Sequence, residues 1–71
     1  MANKDGLANT IRRLRFDHDE MTQQDLAARA KVSRQTIIAV ESGKYTPSLA
    51  LGMRIARVFG KRVDEVFTLE E

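Results

Sequence analysis

Seventy-one residues, with 12 Lys/Arg against 10 Asp/Glu, one histidine and no cysteine, describe a single small domain of net charge +2. A chain this short buries only about 60% of the surface its unfolded form exposes, and with no cysteine and His18 alone it has neither disulfides nor a metal cage to reinforce that core, which leaves association with a second copy. No stretch approaches the roughly 18 uninterrupted apolar residues of a membrane span and residues 1–6 hold no apolar leader, so the expectation is a cytoplasmic protein without a membrane partner.

Leu7, Ile11 and Leu14 recur at helical spacing, which predicts a first amphipathic helix over about residues 7–18, closed by the polar Asp17, Asp19 and Glu20. Thr22, followed three residues later by Asp25, opens a second helix that runs to about Ala30. Lys31 and Val32 interrupt the pattern, and Ser33 caps a third helix over about 33–42, with Ile37 and Val40 inward and Gly43 as its stop. Lys44-Tyr45-Thr46-Pro47 reads as a loop, the proline biasing Thr46 to an extended backbone.

The fourth helix, about 48–59, is the most apolar. Leu49, Leu51, Gly52, Met53, Ile55, Ala56, Val58 and Phe59 leave Arg54 and Arg57 as its only charges, so it is expected at the centre of the core, with Gly60 ending it. A last short helix is expected over 63–67, followed by an extended tail, Thr68-Leu69-Glu70-Glu71. The fold class is therefore all-α, a bundle of about five short helices in one domain spanning 1–71.

Charge is unevenly placed along this chain. Residues 1–25 carry a net −1, residues 26–62 a net +7 with Glu41 the only acid, and residues 63–71 a net −4. A basic middle of this size is the footprint of a phosphate-binding surface, although a solvated basic face would look the same. His18 has no second ligand beside it, and the acids at 17, 19 and 20 lack the glycine and positional ligands of a calcium loop. No metal or cofactor is expected. An enzyme is not expected either: there is no cysteine, paired histidine or Gly-rich phosphate loop, and little volume to enclose a substrate or small-molecule ligand.

Two short helices joined by a three-residue turn have the spacing of a helix-turn-helix, whose second helix enters the major groove. Such a crossing needs a small residue on the first helix, supplied by Ala27, and an apolar residue in the turn, supplied by Val32. Arg34, Gln35, Ile38 and Ala39 are left free on the second helix. Thr22-Gln23-Gln24-Asp25-Leu26-Ala27, Val32-Ser33-Arg34-Gln35-Thr36-Ile37 and Glu41-Ser42-Gly43-Lys44-Tyr45-Thr46-Pro47-Ser48 together resemble the Cro and phage-repressor family, whose fold is the lambda-repressor-like DNA-binding domain. The likeness continues through Leu49-Ala50-Leu51 and Arg54-Ile55-Ala56 and covers nearly the whole chain.

The resemblance implies roles residue by residue. Arg34, Gln35 and Ala39 fall at base-reading positions: arginine suits guanine, glutamine adenine, and an alanine methyl only an apolar contact such as a thymine methyl. Gln23, Ser33, Thr36, Ser42 and Lys44 fall at phosphate-contacting positions, which orient the protein without reading sequence. Arg15 and Glu41 match the family's structural ion pair. One departure stands in the turn, where the family's usual glycine is replaced by Lys31.

The partners implied are double-stranded DNA and a second copy of the chain. The dimer interface is expected at Val63, Val66, Phe67 and Leu69, more apolar residues than a short last helix needs for its own packing. The function implied is a homodimeric repressor on a palindromic operator. The alternative is an antitoxin, or a protein-interaction adaptor on the same fold.

Overall fold

The computed structural model describes residues 2–70, which form, in chain order, β1 (Leu7–Asn9), α1 (Ile11–Asp17), α2 (Gln23–Ala30), α3 (Arg34–Glu41), α4 (Leu49–Val58), α5 (Val63–Val66) and β2 (Phe67–Leu69). Three helices start where a hydroxyl waits for them. Thr22 Oγ1 accepts from the Asp25 N–H at 3.0 Å, Ser33 Oγ from Thr36 at 3.2 Å and Ser48 Oγ from Leu51 at 3.1 Å. Each bond satisfies one of the N–H groups that a helix start leaves without an internal partner. After α3 the chain turns away at Gly43, whose φ of +83° is a left-handed conformation that glycine adopts without cost.

The front of the chain departs from the helical expectation. Leu7 does not begin α1; it opens β1, which pairs antiparallel with β2 in the register Leu7 to Leu69, Ala8 to Thr68 and Asn9 to Phe67. Leu7, Ile11 and Leu14 fit a helical period, but Asn9 divides them, its Oδ1 accepting the Ile11 N–H at 3.1 Å and so starting α1 only there. The strand partner lies about sixty residues away, beyond the reach of a local pattern. The same pairing ends α5 at Val66 and turns the expected free tail into a strand; Glu71 lies outside the described residues. The fold is thus five helices with a small two-stranded sheet.

The core is drawn from every helix except in its outer faces: Ile11, Leu26, Ala27, Ala30, Ile37, Ile55 and Val66 are fully buried. Of α4, Leu51, Gly52, Ile55 and Ala56 point inward, while Leu49 and Met53, expected in the core, are 74% and 52% exposed. Met53 lies to the side of the buried stripe 51, 52, 55 and 56, and Leu49 is the first residue of α4, so this apolar helix is amphipathic in its burial. Phe67 closes the core from β2, its ring 3.6 Å from where a Cβ on Gly52 would sit. No helix among the described residues is long and apolar enough to cross a membrane.

Candidate nucleic-acid interface

The turn between α2 and α3 is built by backbone bonds. Lys31 sits at φ 63°, ψ 41°, in the left-handed region, and the Val32 N–H reaches back to the Ala27 carbonyl at 3.0 Å while the Lys31 N–H reaches Ala28 at 3.3 Å. A non-glycine residue held there costs on the order of 1 kcal/mol. Ala27 is fully buried and Val32 packs half-buried on the same cluster, so the two helices meet over a small side chain and a turn-borne apolar one. Ile37 and Val40 fix α3 from below.

That anchoring leaves the front of α3 outward. Arg34 and Gln35 are exposed in its first turn, and Ala39 is half-buried one turn on. Among the described residues Arg34 makes no ion pair. Ser33 and Thr36 bond each other, Oγ to Oγ1 at 3.0 Å, in addition to the cap. Ser42 donates its hydroxyl to the Ala39 carbonyl at 3.3 Å, and Lys44 is exposed in the loop that follows. In this arrangement Ser33, Thr36 and Ser42 are committed in part to shaping α3.

The scaffold under α3 is an ion pair. Arg15 Nε and Nη2 donate to Glu41 Oε1 and Oε2, both at 2.8 Å, a bidentate arrangement with the two side chains only 16% and 13% exposed. Arg15 Nη1 also donates to the Met21 carbonyl at 3.0 Å, so one guanidinium joins α1, the start of α2 and the end of α3. Gln23 Nε2 donates to Glu41 Oε2 at 3.2 Å. An amide nitrogen carries two protons, so Gln23 can brace Glu41 with one and offer the other outward.

Several contributors escaped the sequence reading. Asn9 Nδ2 donates to the carbonyls of Val40 and Glu41 at 3.2 and 3.4 Å, so β1 caps the C-terminus of α3 while the Asn9 Oδ1 starts α1. Arg54 Nε does the equivalent service for α2, donating to the Ala30 carbonyl at 3.0 Å. Arg12 lines one cleft with Arg15, Glu20, Gln23, Arg34 and Glu41. Its spacing of three from Arg15 on a helix was the available signal.

The expected dimer contacts need correction. Val66 is fully buried and Phe67 is 8% exposed, both within the chain's own core, because Phe67 packs on Gly52 and Val66 closes α5 against it. They are not free for a partner. Val63 is half-buried and Leu69 is 64% exposed.

The sequence matches the helix-turn-helix family over residues 11–66, from the first residue of α1 to the last of α5. It is 46% identical over 65 residues to an uncharacterized HTH-type transcriptional regulator of Methanocaldococcus jannaschii, covering 92% of this chain and 97% of that protein. A second, from Methanothermobacter thermautotrophicus, is 52% identical over 52 residues, covering 72% and 75% of the two chains, and a third, from Bacillus subtilis, is 41% identical over 59 residues, covering 83% and 85%. With the family match spanning all five helices and the relatives covered over most of their length, the chain belongs to the helix-turn-helix family.

Proposed function

We propose that this chain is a cytoplasmic, homodimeric transcriptional repressor that reads a palindromic operator with α3 in the major groove. Its relatives are named transcriptional regulators, and DNA binding in transcription regulation, rather than catalysis, is the function that the family carries. The observation that carries the reading is the front of α3: Arg34 and Gln35, exposed side by side on a helix bolted to the rest of the fold by Glu41 and capped by Asn9. Arginine and glutamine are the side chains whose donors and acceptors match guanine and adenine edges, each good pair contributing about 1–3 kcal/mol of discrimination.

In this reading Gln23 and Lys44 contact backbone phosphates, together with the hydroxyls of Ser33, Thr36 and Ser42. The dimer is placed on the outer side of the β1–β2 sheet, with Leu69 its centre and Val63 its edge. Two copies would set their reading helices about 34–36 Å apart, one helical turn of DNA, and occupancy of an overlapping promoter would exclude polymerase.

Selection of bound duplexes from a random library, repeated with Arg34→Ala, tests this. The expected product is an inverted repeat with half-sites about ten base pairs apart, and Arg34→Ala relaxes one position in each half. Affinity should also fall steeply with salt, because each neutralised phosphate releases counterions. Absence of any enriched sequence would overturn the operator-reading function and favour a protein partner, as for an antitoxin or adaptor.

A further inference from the structure

A second basic surface lies on residues that the reading face does not use. Arg29, Lys31, Arg54 and Arg57 line one cleft, with Val58 as its apolar member, between the end of α2, the turn after it and the second half of α4. It shares no lining residue with the cleft of Arg12, Gln23 and Arg34. No carboxylate lines it, and none of its four cations makes an ion pair among the described residues. Two acids, Asp19 and Asp25, line a different cleft together with Arg29.

Cations do belong near helix C-termini, and two helices end here. Each terminus presents the equivalent of about half a negative charge, so α2 and α4 together offset about one of the four positive charges. An excess of about three remains. Arg54 is also held in place: its Nε is tied to the Ala30 carbonyl at 3.0 Å, which leaves its two terminal nitrogens as fixed donors. A held guanidinium with three further cations around it, in a cleft of about 380 Å³, suits a multiply charged oxyanion larger than a single phosphate.

We propose that this cleft is a second phosphate-binding site, for a di- or polyphosphate group. The shared chemistry, two or more phosphate charges side by side, has two sources: a free di- or polyphosphate, or successive phosphodiesters of DNA that flanks the bound site. Lys31 and Ser33 lie two residues apart, so an anion in this cleft touches the turn that aims α3. Binding of a free anion does not depend on the operator-reading proposal and can be tested without DNA.

The test is an NMR titration of the ¹⁵N-labelled full chain with inorganic pyrophosphate at constant ionic strength. Saturable shifts are expected at residues 29–31 and 54–58. Lys31→Gln/Arg57→Gln, which keeps the Arg54–Ala30 bond, should weaken binding at least about fivefold by removing two charge-assisted donors. Lys4→Gln/Arg13→Gln, with the same loss of charge at exposed positions, should leave it unchanged, and each variant's spectrum reports its folding. Shifts that do not saturate, or an equal loss in both double variants, would overturn the site.

Salt titrations on a minimal duplex and on one extended by about ten base pairs at each end separate the sources. If flanking DNA is the ligand, Lys31→Gln/Arg57→Gln lowers the salt slope by about 2 on the long duplex alone. If a free anion is the ligand, the slopes match wild type on both duplexes and pyrophosphate still binds.

Discussion

Replacing Arg15 by alanine isolates what the ion pair beneath α3 contributes. The substitution deletes two 2.8 Å bonds to Glu41 and the 3.0 Å bond to the Met21 carbonyl, and leaves a carboxylate only 13% exposed with Gln23 as its remaining side-chain donor. Breaking a fully buried pair from one side costs about 3–5 kcal/mol; water reaches this one at its edge, which lowers the expectation to about 2–3 kcal/mol. At 0.05–0.15 kcal/mol per residue the whole domain is stable by only about 4–11 kcal/mol. The loss should therefore lower the thermal midpoint by roughly 10–20 °C.

Urea unfolding at a single protein concentration is the assay, because dimerisation would add a concentration term. Most of the cost is the stranded charge rather than the lost attraction, so adding Glu41→Gln to Arg15→Ala should recover about 1 kcal/mol or more. Arg15→Lys, which keeps the charge but not the fork, should fall between wild type and alanine. A loss under about 1 kcal/mol for Arg15→Ala, or no recovery in the double variant, would refute the reasoning.

Substitutions at three other positions probe separate parts of the fold. Asn9→Ala removes one acceptor and the donor of two carbonyl contacts, at a cost of about 2 kcal/mol read by the same unfolding assay, and Asn9→Asp should be worse because it sets a charge beside the carbonyls of Val40 and Glu41. Gly52→Ala should raise stability by about 0.5–1 kcal/mol, since its methyl would meet the Phe67 ring at an ordinary 3.6 Å while the unfolded chain loses freedom; a lower melting temperature would mean that the ring cannot accommodate it. If the proposed dimer forms through Leu69, wild type sediments as a dimer and Leu69→Asp as a monomer in analytical ultracentrifugation; a dimer persisting in the variant would place the interface elsewhere.

What could be read beforehand was local. Thr22, Ser33 and Ser48 cap helices through bonds spanning three residues, and Gly43 ends α3 through its own φ, so these boundaries agree with the sequence to within a residue or two. Arg15 and Glu41 are 26 residues apart, and only the family likeness joined them. Asn9 and Arg54 lacked any such signal, because a polar side chain that caps a distant helix is indistinguishable in sequence from one that faces water. The errors at Leu7, Phe67, Leu49 and Met53 share one cause. Hydrophobic periodicity reports that a residue is apolar, and only the arrangement of distant elements decides whether a face is covered.

Pairing Leu7 with Leu69 gives the fold a late step. Closing a loop of about sixty residues costs roughly 4 kcal/mol of chain entropy, more than three residue pairs in a ladder return unaided. Helix collapse is expected to come first and to carry the two strands into register. The small sheet therefore depends on helix packing for its stability, and its three residue pairs should be the first to open when that packing loosens.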